Sequence, residues 1–219
     1  MNRKLVLIII LAVLVISGGS IGGYYWYQGA NYVSTDNARI AGDIYRVMPR
    51  ISGKINTLNV KVGDTVIADQ IVGQQDITNL SNSLLDQASL RSPIGGTVIQ
   101  TAAKVGEVVA PGQSVAMIVD KNAVYVSADI DETKMKKVHI GQKVTLGFDT
   151  YSGTEFTGKI FEIGQATAST FSLLPTTSSS GNFTKVTQRM NVKISIDDHQ
   201  GLDLAPGMNA EIKIHIKGE

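Results

Sequence analysis

Two stretches of this chain repeat each other at an offset of 43 residues. Pro49-Arg50-Ile51-Ser52-Gly53-Lys54-Ile55 lies beside Pro93-Ile94-Gly95-Gly96-Thr97-Val98, and Val60-Lys61-Val62-Gly63-Asp64-Thr65-Val66 beside Ala103-Lys104-Val105-Gly106-Glu107-Val108-Val109. The offset carries Gly53 to Gly96, Lys61 to Lys104, Gly63 to Gly106, Asp64 to Glu107 and Gln70 to Gln113. Each copy alternates apolar and polar residues in short runs broken by glycine, the pattern of small strands joined by tight turns. A glycine before an acid suits a turn that needs a positive φ. The spacing therefore predicts two similar half-sheets packed face to face, each burying the other's apolar side.

A second feature precedes the repeat. Residues 5–16 are an unbroken apolar run, and no charge occurs over the 23 residues from 5 to 27. About 20 residues at 1.5 Å rise cross a bilayer core of roughly 30 Å, so the stretch reads as a membrane-spanning helix. Arg3 and Lys4 precede it, which places the N-terminus in the cytoplasm and the rest outside. Tyr24, Tyr25, Trp26 and Tyr27 cluster at the far end, where amphipathic rings favour the membrane–water interface. A cleaved signal peptide is the competing reading, given the small residues over 17–23. The Gly18/Gly22 and Gly19/Gly23 spacings either permit close helix–helix approach or loosen the helix end. No basic tract follows the helix, so surface binding to anionic lipid is not expected.

Composition then excludes several classes. Lys+Arg 20 against Asp+Glu 19 gives a net charge of +1, unlike a nucleic-acid binder with its strongly basic face. Without cysteine there is no disulfide framework, thiolate zinc site, iron–sulfur cluster or thiol nucleophile. Aromatics at 6% argue against a stacking function.

The repeat resembles the two halves of a biotinyl/lipoyl domain. Carrier proteins of that kind hold their cofactor on a lysine between the halves. Here no lysine lies between Lys61 and Lys104, so the resemblance implies no swinging arm and no cofactor. The split domain is instead similar to that of the HlyD-type membrane fusion proteins, the periplasmic adaptors of bacterial export pumps. Ser34-Thr35-Asp36-Asn37-Ala38-Arg39-Ile40-Ala41-Gly42 resembles that family's segment just after the anchor. Asn122 to Glu132 resembles its first barrel strand and short helix, and Ile140-Gly141-Gln142-Lys143-Val144 its next strand. Phe171-Ser172-Leu173-Leu174-Pro175, Gly181 to Val186 and Gln188-Arg189 are close to the EmrA-type branch, whose members work with major-facilitator exporters. Pro206-Gly207-Met208 matches the turn before the last barrel strand.

Patterning alone gives a similar architecture. Residues 124–128, 144–148, 156–163, 186–196 and 210–216 carry alternating or β-branched runs, and 133–138 fits one or two helical turns. Regularly spaced short strands favour a small barrel or sandwich. Residues 165–184, rich in Ser and Thr, read as a long exposed loop whose Phe171 to Leu174 cluster docks on a partner or folds back onto the barrel.

The fold class is thus mainly β: a transmembrane helix, a split lipoyl-like sandwich and an adaptor-type barrel. The expected organisation is an anchor at 1–27, a linker at 28–46, the lipoyl-like domain at 47–120 and the barrel at 121–217. Family members carry a long helical hairpin between the lipoyl halves; only residues 77–90 are available for one here. Ile77, Leu80, Leu84 and Ala88 have helical spacing, with Asp76 as N-cap. A single helix of that length would run about 21 Å and end far from its start. A short loop or two single turns is therefore expected, with no direct contact to an outer-membrane channel. This suits either a cell without an outer membrane or a deletion from a longer parent.

No chemistry emerges. His139, His199 and His215 are isolated, and Asp197-Asp198-His199 reads as a polar turn. Ser92-Pro93 and Ser152-Gly153 lack a nucleophile elbow, and no phosphate-binding glycine loop occurs. No catalytic, cofactor-binding or metal residue is assigned, and no enzyme is expected. The resemblance implies a self-associating, membrane-anchored adaptor of a multidrug or small-molecule exporter, with a cytoplasmic-membrane transporter as partner and no nucleic acid. An ABC-type peptide or protein exporter, or a cell-envelope binding protein outside transport, would use the same fold.

Overall fold

The computed structural model describes residues 3–78, 84–167, 170, 187–199 and 201–216, with side chains from Leu11 onward except those of Tyr25 and Trp26. Helix α1 runs without a break over Arg3–Asn31. Leu11, Val13, Leu14, Val15, Ile16 and Ile21 on it are each at least 60% exposed. Over the described residues no helix is long and apolar enough to cross a membrane, so the spanning expectation for 5–27 finds no support there.

The backbone passes from α1 directly into strand β1, Tyr32–Ala41. Eight short strands follow: β2 (Ile44–Val47), β3 (Gly53–Leu58), β4 (Thr65–Val66), β5 (Ile71–Gln75), β6 (Ser89–Arg91), β7 (Gly96–Thr101), β8 (Val108–Val109) and β9 (Ala116–Val119). Five more complete the chain: β10 (Tyr125–Asp131), β11 (Lys143–Phe148), β12 (Glu155–Thr167), β13 (Arg189–Ser195) and β14 (Asn209–His215). The chain divides into two compact units, one over 40–125 with 201–207, the other over the remainder.

The first unit is a sandwich of two four-stranded sheets, ordered β2-β9-β7-β4 and β6-β5-β3-β8. The 43-residue offset places β7 on β3 and β8 on β4. The expected arrangement of one half-sheet per copy is not what forms. Each sheet takes two strands from each copy: β4 pairs with β7, and β8 pairs with β3. The exchange is reciprocal to the atom, with Gly63 N–H donating to Val98 O and Gly106 N–H to Ile55 O, both at 2.8 Å. A two-residue strand buries little alone, so crossing to the other copy's sheet lets Val66 and Val109 reach one shared core. That core holds Val47, Ile55, Val72, Leu90, Val98, Val115 and Ile118.

The second unit is a closed barrel, ordered β1-β10-β13-β12-β11-β14, with β14 returning to β1 through Tyr32↔His215 and Val33↔Ile214. The segment after the helix is therefore a barrel strand, and the barrel is interrupted in sequence by the whole sandwich. Strict alternation fills it: Val126, Ala128 and Ile130 on β10, Val144, Leu146 and Phe148 on β11, and Ile212 and Ile214 on β14 point inward. The rings of Phe148 and Phe156 lie 4.8 Å apart, tilted at 57°. The turn after β10 is a 3₁₀ helix over Glu132–Lys137, matching the expected helical turn at 133–138.

Two sequence expectations hold only in part. The short loop or turns expected over 77–90 end before its last two residues, because Ser89 and Leu90 belong to β6, and Ala88 and Leu90 are fully buried in the sandwich. A 3₁₀ turn at Asp86–Ala88 precedes β6, while 79–83 lie outside the described residues. The exposed loop at 165–184 starts later than expected, since β12 continues to Thr167. Most of that loop, including Phe171 to Leu174, lies outside the described residues.

Candidate interaction surface

Among the described residues no group of three or more His, Asp or Glu could hold a metal ion. The three histidines stay apart. His215 Nε2 lies 3.0 Å from Thr145 Oγ1 and its ring meets Tyr32 edge-on at 5.1 Å. His139 donates its backbone N–H to Gln142 Oε1 at 2.8 Å, and His199 sits in the turn after β13. Ser92 is buried with its hydroxyl donated to the Ile94 carbonyl, a structural bond. Asp131 faces Lys134 at 3.4 Å and Arg189 at 3.5 Å. Asp76 is a carboxylate held below its usual range, by the hydroxyl and the backbone N–H of Thr78. It closes a local turn at the start of the insertion, with Thr78 N–H donating to its Oδ1 at 3.0 Å.

The repeated glutamines and acids act locally, as turn closers. Lys61 N–H donates to Asp64 Oδ2 at 2.8 Å and Lys104 N–H to Glu107 Oε2 at 3.1 Å, around Gly63 and Gly106 at φ 97° and 94°. Ile67 N–H donates to Gln70 Oε1 and Ala110 N–H to Gln113 Oε1, both at 2.9 Å. The barrel uses the same device at His139 and Gln142. In each case a side-chain oxygen three residues on accepts the N–H that the turn leaves unpaired.

With polar groups used this way, the sandwich is left with apolar side chains at its rims. Val62 and Val105, related by the repeat, are 62% and 59% exposed; Ile67 and Val108 are 71% and 72% exposed. The edge strands are blunt, β4 and β8 having two residues each. Edge strand β2 exposes Ile44 and Tyr45. The insertion after β5 leaves and returns side by side, because Gln74 pairs with Ser89. Its return is tied down by charge: Asp86 meets Arg91 at 3.2 Å and Arg50 at 3.8 Å, and Arg91 also reaches Asp69 at 3.4 Å. On the barrel wall, Asp129 accepts from Asn191 at 3.0 Å and Asn37 at 3.4 Å, lacing β13, β10 and β1 together. These features bind and hold; none of them positions a nucleophile, an acid or a base. Sequence reasoning missed the exchange of β4 and β8, although the paired Gly-acid turns that flank it were visible.

Comparisons with known proteins agree with a binding role. Residues 43–121 match the family described as RND MFP, barrel-sandwich hybrid domain, and 124–214 match the YknX-like beta-barrel domain. A putative efflux system component of Bacillus subtilis (strain 168), YhbJ, is 39% identical over 193 residues, covering 85% of this chain and 81% of that protein. The colistin resistance protein EmrA of Acinetobacter baumannii is 39% identical over 147 residues, 66% of this chain but 42% of its own length. This chain thus spans about two-fifths of that longer relative. The membrane fusion protein Spr0693 from Streptococcus pneumoniae R6 has the same fold, with a TM-score of 0.62 at 15% identity, covering 85% of this chain and 99% of that one. Matched through both of its units and along most of a relative of similar length, the chain belongs to the membrane fusion protein family, the adaptors of efflux systems.

Proposed function

We propose that this chain is the membrane-anchored adaptor of a multidrug or small-molecule efflux pump driven by a major-facilitator transporter. The observation that carries the reading is the direct passage of α1 into β1, which seats the barrel at the end of a helix that is uncharged from residue 5 to residue 27. The 29 residues of α1 extend about 43 Å at 1.5 Å each, and its described large apolar side chains, from Leu11 to Ile21, are exposed. A lipid environment would cover them, with Arg3 and Lys4 on the cytoplasmic side and both β units outside. The transporter class is supported by the EmrA-like residues around 171–189 and by the resemblance to EmrA itself. In this reading the protein does no chemistry. Copies associate through the blunt, apolar sandwich rims and the barrel walls into a collar over the transporter.

The insertion limits the reach of such a collar. Folded as a hairpin, residues 76–88 give arms of about 9 Å at 1.5 Å per residue, so the chain does not extend to a distant channel by itself. Co-purification of the full-length chain from its own membranes tests the assignment. A twelve- or fourteen-helix transporter recovered with it, and drug sensitivity on deletion, support the reading. An ATPase recovered instead assigns the adaptor to an ABC-type exporter. Recovery of neither, with unchanged resistance, overturns a role in transport.

A further inference from the structure

No basic tract follows α1 along the chain, yet the fold brings one to its end. The 3₁₀ turn Glu132–Lys137 carries Lys134, Lys136 and Lys137 against one acid of its own, Glu132. Lys137 Nζ donates to the Gly29 carbonyl at 3.1 Å, so a cation caps the C-terminal end of α1, where the helix dipole favours it. A cavity of about 320 Å³ opens at this point, lined by Gln28, Gly29, Tyr32, Lys134 and Lys137. An ammonium has three donors. Lys137 commits one to Gly29, and Lys134 shares Asp131 with Arg189. Lys136 is exposed. The corner is therefore net positive, with donors to spare beside an open cavity.

Its level along α1 is set by the tyrosines. Tyr24 and Tyr27 are 61% and 57% exposed, and Gln28 donates to the Tyr24 hydroxyl at 2.9 Å. Exposed tyrosines at a helix end favour the headgroup layer. Gly29 lies two residues beyond Tyr27, about 3 Å further along the axis. That puts the lysines at the depth of lipid phosphates.

We propose that this corner of the barrel binds the phosphate of an anionic phospholipid in the leaflet below it, fixing the height and rotation of the barrel over the membrane. The inference rests on the anchored reading of α1. Anionic phosphate is favoured over other occupants because the cavity is cationic and continuous with the exposed apolar helix.

The single tryptophan, Trp26, supplies the probe. Full-length protein is reconstituted in nanodiscs of phosphatidylcholine, and energy transfer from Trp26 to dansyl-phosphatidylglycerol or dansyl-phosphatidylcholine is titrated. The expected result is half-saturation at a lower mole fraction for the anionic probe. Since one lysine near a charged surface contributes about fivefold, the Lys134→Gln/Lys136→Gln/Lys137→Gln variant should raise that mole fraction at least tenfold. The Lys134→Gln/Lys136→Gln variant keeps the Lys137–Gly29 bond and should raise it about tenfold or more, which separates headgroup binding from support of α1. Lys61→Gln/Lys104→Gln, in the sandwich turns, should leave it unchanged. Equal transfer to the two probes in the wild type, or unchanged selectivity in both lysine variants, overturns the headgroup site and leaves the anchor standing. Displacement by inorganic phosphate at constant ionic strength assigns a free-anion site and overturns lipid binding. A chain that stays outside the nanodiscs and shows no transfer to either probe overturns the anchor and the site together.

Discussion

Gly53 and Gly96 occupy the same place in the repeat, yet adding a methyl group to each should have unequal consequences. A Cβ on Gly96 would stand 2.4 Å from the Val119 carbonyl oxygen and 2.9 Å from its carbon. Both belong to the backbone of β9, which is paired to β7 at Thr97↔Val119. Relieving an overlap of about 1 Å means opening that pairing. The loss is about one ladder hydrogen bond, roughly 0.5–1.5 kcal/mol, plus an overpacking cost of about 1–3 kcal/mol. Restricting the unfolded chain returns about 0.4–1 kcal/mol, so Gly96→Ala should destabilise the sandwich by about 2–3 kcal/mol. On Gly53 the nearest atom is Gln75 Nε2 at 3.2 Å, the end of a side chain. Gln75 is buried and donates to the Ile51 carbonyl at 3.0 Å, so it yields only a little. Gly53→Ala should cost about 0–1 kcal/mol once the unfolded-state gain is included. Hydrogen exchange read by mass spectrometry on β7 and β9 peptides measures this within the full chain, with barrel peptides as the internal control. At 1.4 kcal/mol per tenfold, Gly96→Ala should speed exchange in the sandwich by roughly 30- to 150-fold and Gly53→Ala by less than about fivefold. Equal acceleration in the two variants would refute the reasoning, because it would mean that the backbone of β9 is not the obstacle.

The same contrast should appear in the barrel. A Cβ on Gly158 would fall on the Ser195 carbonyl oxygen at 1.9 Å, whereas one on Gly147 meets nothing within 4 Å. Gly158→Ala is expected to lower barrel stability by about 3 kcal/mol or more, and Gly147→Ala to raise it by up to about 1 kcal/mol, both read by urea titration. Gln70→Ala and Gln113→Ala each remove one turn-closing acceptor of equal length, so both should cost about 0.5–1.5 kcal/mol and match within error in the same titration. Asp76 has its pKa lowered by Thr78. Its contribution to stability is therefore present above the unfolded value of 3.8 and fades as pH falls through the lower folded value. Thr78→Val removes the hydroxyl donor and keeps the backbone one, so carboxyl-carbon NMR should show Asp76 titrating at higher pH than in the wild type. An unmoved titration would remove the Thr78 hydroxyl as its cause.

Much of this was legible in the sequence because it is local. A turn closed by the side chain three residues on needs only four residues in order, and both copies of Gly-Asp/Glu announce it. Alternation along 124–128, 144–148 and 210–216 marked the inward faces of β10, β11 and β14, since strand period fixes which side is buried. The insertion was correctly expected to be too short for a long hairpin, but its boundary was misjudged. Ser89 and Leu90 fell within the expected insertion and yet form β6, because the edge of β5 offers them backbone partners.

By itself, then, the sequence determined most of the barrel strands and their buried faces, the paired turns of the repeat and the uncharged stretch from 5 to 27, all consequences of interactions within a few residues. Only the tertiary structure decided what each face meets. Reciprocal crossing of β4 and β8, closure of the barrel by β1 across the inserted sandwich, the unequal surroundings of Gly53 and Gly96, and the lysines gathered at the end of α1 all join residues tens of positions apart. Periodicity cannot encode those partners. They are chosen by which distant segments together close an apolar core while leaving every buried backbone group a hydrogen bond.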